Sequence, residues 1–299
     1  MSTAPQPVEH EQNWKVVLAY DGTDYRGWQV QPGEPTIQGE LQAALGRVVG
    51  ESPLPQGSGR TDAGVHALGQ VASFALRAPI PPDSLRRALN RTLSPAIRVL
   101  EAEIVPSDFH ARHSTVAKTY EYRVYLERPT HSPVRPIECP PSLARYVYSY
   151  PWPLDFQALE EAAKLFTGTH DFLSFAATDP DVAARSGRNP TITAEDDEER
   201  GGRGAVRTIF GSSWDQRAEG DSMVFVYRVR GSGFLHHMVR NLVGTMLDVG
   251  RGYRRAGEIP AMIAARARAG AGPTAPARGL FLHSVEYASN MWNRSTSPV

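Results

Sequence analysis

The chain is predicted to be an α+β protein in two units whose sheets can join. Strand-like alternation of apolar and polar residues is interleaved with segments whose apolar residues recur at helical spacing. Strands accompanied by two helices occur in each half, a weak internal repeat. The 299 residues, 41% of them hydrophobic, suffice for two ordinary domains with cores of their own.

Met1 to Asn13 is polar and Pro/Gln-containing, and reads as a disordered leader, neither a secretory signal nor a membrane span. Trp14 to Tyr20 is a β-rich run ending in Asp21-Gly22-Thr23-Asp24-Tyr25-Arg26-Gly27-Trp28-Gln29, a turn-rich loop with aromatics able to meet a planar ligand. Behind Thr36 as N-cap, Ile37, Leu41, Ala44, Leu45 and Val48 form the apolar stripe of a helix that packs on the sheet. Leu68 to Leu76 reads as a strand, Ser84 to Leu93 as a helix with Leu85, Leu89 and Leu93 on one stripe, and Ile97 to Val105 as a strand. Together, 14–112 make the first α+β domain.

Asp108 to His113 mixes aromatic and basic residues at the expected crossing to a second domain, 113–289. Its two histidines, three apart without a third ligand nearby, suit a surface feature better than a metal site. From Ala117 to Leu126 the pattern alternates, so Lys118, Tyr120, Tyr122 and Val124 share one strand face. Either Tyr120 or Tyr122 can serve a cleft. The proline-rich stretch near 129–153 has no clean period and is read as a surface excursion. Phe156, Leu159, Ala163 and Phe166 restore helical spacing, ended by Gly168. The insertion near 178–205 carries five consecutive acids, Glu195 to Glu199, read as a solvated loop.

Val206 to Phe210 and Met223 to Arg230 are strands, with Arg228 and Arg230 on one face of the second. Gly231 to Phe234 turns into a helix carrying Leu235, Met238, Leu242, Met246 and Val249. His236 and His237 are adjacent and are expected to point in different directions. Arg240 lies off the apolar stripe of this otherwise buried helix, so it needs a carboxylate or phosphate partner. Helical spacing recurs near Ile259 to Ile263, Leu280 to Tyr287 closes the fold as a strand, and 290–299 is a tail.

The formal net charge is zero, with 32 basic and 32 acidic residues, yet Met223 to Arg255 holds six arginines against one acid. A basic surface and an acidic loop thus cancel in the total. The single cysteine, Cys139, excludes an intrachain disulfide and a Cys-rich metal site and fits a reducing cytoplasm.

One stretch stands apart. In Gly57-Ser-Gly-Arg-Thr-Asp-Ala-Gly64 a single carboxylate, Asp62, lies among three glycines at 57, 59 and 64, ahead of a strand. The glycines let the loop bend tightly and approach a bulky ligand. No Gly-Lys-Ser/Thr follows, the dinucleotide spacing is missing, and a central acid would repel a pyrophosphate. The loop reads equally as a tight turn whose Asp accepts backbone N–H bonds and whose Arg60 closes a local ion pair. Set beside strand tyrosines and a helix arginine, it suits chemistry at a glycosidic carbon: a carboxylate as nucleophile or base, an arginine to hold it ionised, an aromatic to stack on a flat base.

Four runs in order resemble the TruA family of tRNA pseudouridine synthases: Tyr20-Asp21-Gly22-Thr23 with Gly27-Trp28-Gln29; Gly59-Arg60-Thr61-Asp62-Ala63-Gly64-Val65-His66-Ala67; Lys118-Thr119-Tyr120-Glu121-Tyr122; and Gly233-Phe234-Leu235-His236-His237-Met238-Val239-Arg240-Asn241. The resemblance spans about Trp14 to Tyr287. It implies two ferredoxin-like (RRM-like) domains whose antiparallel sheets join into one central sheet with a basic cleft, and a cytoplasmic homodimer without cofactor or metal. The implied reaction isomerises uridine to pseudouridine at positions 38, 39 and 40 in the anticodon stem-loop of tRNA. Asp62, Tyr120 and Arg240 would be catalytic: the aspartate attacking C1′ or removing a ribose proton, the tyrosine stacking on the flipped uracil, the arginine pairing with the aspartate. Arg60, His66 and Arg112, with Tyr120, would bind substrate. Two other readings are a catalytically idle RNA-binding protein and a nucleoside hydrolase; the latter ordinarily needs a second carboxylate or an acidic metal cluster.

Overall fold

The structure, a computed structural model, describes residues 11–127, 138–177, 204–220 and 222–288. Residues 1–10 of the leader, the tail, the acidic block at 195–199 and part of the proline-rich stretch fall outside those residues, while Gln12 and Asn13, expected in a disordered leader, are strand. In chain order the elements are β1 (Gln12–Tyr20), α1 (Ile37–Val49), β2 (Gln56–Gly57), β3 (His66–Leu76), α2 (Pro82–Thr92), β4 (Ile97–Val105), β5 (Thr115–Leu126), α3 (Pro141–Ala144), β6 (Tyr148–Tyr150), α4 (Phe156–Lys164), β7 (Gly168–Asp171), β8 (Val206–Glu219), β9 (Ser222–Gly231), α5 (Met238–Gly250), α6 (Ile259–Ala265) and β10 (Leu280–Tyr287). None of these helices is long and apolar enough to cross a membrane.

The chain divides into two compact units, one running to Val116 and resuming at Phe281, the other Ala117–Leu280. In the first, the strand order is β4-β1-β3-β10, with β2 also on β3. β1 is antiparallel to β3 (Trp14 opposite Phe74) and to β4 (Trp14 opposite Ile104). Its period-two burial places Trp14, Val16, Leu18 and Tyr20 inside. The Ile37, Leu41, Ala44 and Leu45 stripe of α1 and Leu85 and Leu89 of α2 are fully buried. Thr36 caps α1 as expected, its Oγ1 accepting from Gly39 N–H at 3.3 Å. A second apolar cluster joins Val71, Val105, Phe109 and Ala111 to Val17, Val285 and Tyr287.

The second unit orders its strands β5-β9-β8-β7, with β6 on β5. β5 and β9 are antiparallel, Tyr120 opposite Val229 and Tyr122 opposite Tyr227. Phe156 of α4 meets Phe225 edge-on at 5.1 Å, and Trp214 Nε1 donates to Met246 Sδ of α5 at 3.3 Å. Tyr125, Val147, Val224 and Val226 form a further cluster with Cys139 and Leu143.

Four expectations are corrected. The sheets are mixed rather than antiparallel: β10 runs parallel to β3 and β6 parallel to β5. The closing strand, placed in the second half by its position in the chain, pairs in the first unit, Phe281 opposite His66. The end of the proline-rich stretch is not structureless, since α3 and β6 form there and β6 pairs with β5. Of the pair Arg228 and Arg230, the first is partly offset by a carboxylate, since Arg228 lies 2.9 Å from Glu121, while the Arg230 guanidinium keeps its charge over the Phe210 ring at 4.9 Å.

Candidate active site

The Asp62 loop joins β2 to β3, two strands that pair with each other, Gly57 opposite Ala72. Its first half is tied to β3. Ser58 N–H donates to Val71 O at 2.8 Å, Ser58 Oγ to Gln70 Oε1 at 2.7 Å, and Gln70 Nε2 to Gly59 O at 2.9 Å. Its centre is braced from the Tyr20 to Trp28 segment. Thr61, buried, shares a 2.9 Å hydrogen bond with the Tyr20 hydroxyl, and Thr61 O accepts from Trp28 N–H at 3.0 Å. Burial pushes the Tyr20 hydroxyl up to about 12, with Thr61 and Gln70 pulling the other way, so it keeps its proton. Past the carboxylate, Val65 N–H closes a turn on Asp62 O at 3.1 Å, and Gly64 N–H reaches Tyr25 O at 3.3 Å. Asp62 is half-buried and Arg60 exposed on this loop.

The bracing rests on glycine. Gly27 has φ +90, and a Cβ there would stand 2.5 Å from Thr61 O, so only a bare α-carbon lets the two backbones meet. Gly57, expected to make room for a ligand, makes room for Trp28: a Cβ would lie 2.6 Å from the indole. Trp28 is correspondingly fully buried, as a floor under the loop rather than a face for a planar ligand.

His66 is also enclosed, fully buried within the first unit. Its Nδ1 accepts the Gly22 N–H at 3.1 Å, and its ring stacks on Phe281 at 4.7 Å. The same Nδ1 lies 3.2 Å from Asp21 Oδ1. An Nδ1 that accepts the Gly22 proton has none to give, and Asp21 Oδ1 already accepts from Thr23 N–H and Oγ1–H. Through Nδ1 the ring fastens the Asp21-Gly22 turn. Arg112 is half-buried on the turn after β4. That turn is built on His110, whose Nδ1 accepts the N–H groups of Arg112 and His113 at 3.1 and 3.3 Å. Burial, then the His113 and Arg112 charges, lower the His110 pKa, which suits a neutral acceptor.

In the second unit the two tyrosines on one face of β5 differ in burial and partners. Tyr122 is fully buried and its hydroxyl donates to Pro276 O at 2.8 Å. Burial drives that hydroxyl far above the usual phenol range, against the Arg240 charge. Tyr120 keeps 8% of its surface, with its ring edge-on to Phe234 at 5.0 Å. Phe234 belongs to the turn between β9 and α5, and that turn is longer than the sequence suggested. Leu235 lies before the helix, which begins at Met238 behind His237 in the left-handed conformation, φ 57. The His236 and His237 rings, expected to diverge, lie side by side with centroids 3.9 Å apart, because neither residue has helical geometry.

Arg240 stands in the first turn of α5, half-buried. Its Nε donates to Ala275 O at 2.7 Å, and Ala275 N–H returns a bond to Arg240 O at 3.1 Å. Sequence reasoning missed this segment before β10, because Gly-Pro-Thr-Ala-Pro carries no periodic signal. It also missed Thr61, Gln70 and Tyr20 as fasteners of the Asp62 loop; the polar Gln70 within an apolar strand was the available hint.

The family model for tRNA pseudouridine synthase matches residues 16–114 and 162–288. A tRNA pseudouridine synthase A of Solibacter usitatus is 49% identical over 273 residues, 91% of this chain and 98% of that protein. Proteins of the same name from Moorella thermoacetica and Bacillus pumilus are 44% and 41% identical, each over 91% of this chain and 98% of their own length. The Asp62 loop, its brace, Tyr120 and Arg240 thus sit in a chain that belongs to the tRNA pseudouridine synthase family.

Proposed function

We propose that the protein converts uridine to pseudouridine in the anticodon stem-loop of tRNA, at positions 38, 39 and 40, with Asp62 as the reactive carboxylate. The N1–C1′ bond breaks, the uracil turns, and a C5–C1′ bond forms; the proton lost from C5 is matched by one gained at N1. The exchange is redox-neutral and needs no electron acceptor. Asp62 attacks C1′ or removes a ribose proton. Tyr120 stacks on the uracil, Arg240 pairs with the aspartate, and Arg60 and Arg112 meet the RNA backbone. Flipping the nucleotide out of the stem costs a few kcal/mol, offset by these contacts. In this reading the two units are ferredoxin-like domains whose sheets join, and the enzyme is a cytoplasmic homodimer.

The observation that supports it most is the Asp62 loop itself. It is tied to β3 at one end and braced through Thr61 at its centre, and it holds a half-buried carboxylate still. Preorganisation of this kind is what a reacting group requires. Asp62→Asn, incubated with unmodified tRNA and assayed by chemical mapping of pseudouridine, is expected to lose at least about a thousandfold in turnover. Its tRNA affinity should stay within a few fold, since binding rests mainly on backbone charge. Retained turnover removes Asp62 from the role. For the unaltered protein, binding without product favours the idle RNA-binding reading, and released uracil a hydrolase.

A further inference from the structure

The segment from Arg268 to Pro276 runs antiparallel along α5 as a strap, and its bonds pair off residue by residue. Ala275 exchanges two bonds with Arg240, Thr274 Oγ1 donates to Asn241 Oδ1 at 2.6 Å, and Gly272 N–H donates to Thr245 Oγ1 at 2.9 Å. The approach is close: a Cβ on Gly272 would stand 2.6 Å from Thr245 Cα, and one on Gly244 would overlap the Pro273 carbonyl. The same strap accepts the Tyr122 hydroxyl at Pro276 O, so it fastens to β5, the strand of Tyr120, as well as to the helix of Arg240.

One side chain braces it. Arg268 Nη2 donates to Asn241 Oδ1 at 3.0 Å and to Thr274 Oγ1 at 3.1 Å, while Nη1 donates to Gly272 O at 2.8 Å. Asn241 is fully buried and spends its amide on Phe175 O at 2.7 Å, so its Oδ1 faces the strap in a defined orientation. The hydrogen-bond roles are consistent throughout: the Thr274 hydroxyl accepts from the guanidinium and donates to the amide oxygen.

We propose that Arg268 is a positioning residue for Arg240: by locking Thr274 and Gly272 to α5 it holds the Ala275 carbonyl against Arg240 Nε and so sets the plane of the catalytic guanidinium. The inference rests on the reading of Arg240 given above. An arginine fork aimed at a carboxylate works only in a narrow range of orientations, because its donors are coplanar. Strap slippage of about 1 Å is enough to cost up to about a hundredfold in rate. Arg268 itself touches no reacting atom.

The test compares Arg268→Met, Arg268→Lys and Thr274→Val in single-turnover assays with saturating tRNA, below the melting transition of each, alongside tRNA affinity. Arg268→Met is expected to slow product formation about tenfold to a hundredfold with affinity within about threefold. Arg268→Lys should restore part of the loss, and Thr274→Val should show a smaller loss of the same kind. In an Arg240→Lys background, which retains a charge but not the Nε bond to Ala275, Arg268→Met should add less than about twofold, since coupled residues are not additive. A normal rate in Arg268→Met, a loss confined to melting temperature or affinity, or a full multiplicative loss on top of Arg240→Lys overturns the proposal. If Arg240→Met is itself fully active, what fails is the assignment of Arg240, which separates the two outcomes.

Discussion

In the first unit the backbone next to Asp62 is gripped largely by main-chain contacts: Trp28 N–H on Thr61 O, Tyr25 O on Gly64 N–H, and a Gly27 α-carbon pressed against the Thr61 carbonyl. In the second unit Arg240 is reached largely through side chains: its own Nε on Ala275, then Asn241, Thr274, Thr245 and Arg268. A short carboxylate on a loop has little reach, so its position is that of its backbone, and the backbone is what is clamped. A long guanidinium on a helix has its α-carbon set by the helix for nothing more, and several torsions then need fixing by neighbours. The two halves of the proposed chemistry should therefore fail differently.

The sharpest break is Gly27→Ala. The side chain forces a left-handed backbone on a residue with a Cβ and drives that Cβ into a carbonyl, so a destabilisation of about 3 kcal/mol is expected by denaturant unfolding. An unchanged midpoint would show that the brace yields without penalty. Thr61→Val is milder, because the Tyr20 hydroxyl keeps Gln70 as a neighbour. It should cost about 1 kcal/mol of stability and lower turnover more than tRNA affinity; a pure affinity loss would argue that the brace serves binding instead. The smallest effect is electrostatic and belongs to the second unit. Burial opposes ionisation of Glu121, but hydrogen bonds and charges of Arg123, at 2.7 Å, and of Arg228 prevail and hold its carboxyl below the ordinary 4.5. A lowered carboxyl stabilises the fold above its unfolded pKa and loses that contribution as pH falls through the folded one. Glu121→Gln should thus be less stable than the parent at pH 7 and should show a flatter decline below about pH 4.5. Parallel curves would mean that the ion pairs contribute nothing.

How far the sequence reveals all this varies with what decides each feature. β1 and both helices of the first unit follow from alternation and helical spacing, since one buried face dictates each, whereas β3 and β5, buried on both faces, follow from their apolar and β-branched or aromatic content. β8 runs to Glu219, well beyond the expected Phe210, because a register shift at Gly211 carries a polar stretch into pairing with β9. β6 and β7 are three and four residues long and owe their existence to a neighbouring strand, which no local pattern shows. Asp62 stood out because its glycines punctuate the loop. The burial of His66 around a turn leaves no trace in linear order, and the strap over α5 is written in residues that signal only irregular chain.

The parallel pairing of Phe281 and Leu282 with His66 and Ala67 has a consequence for the order in which the protein is made. During synthesis the loop bearing Asp62 is complete long before the strand that seals its neighbour, so β3 waits with an open edge and His66 without the ring it stacks on. Nascent chains are thus exposed to edge pairing with one another until the final strand arrives, and a product truncated just before Phe281 carries the whole Asp62 loop and still lacks a finished first unit.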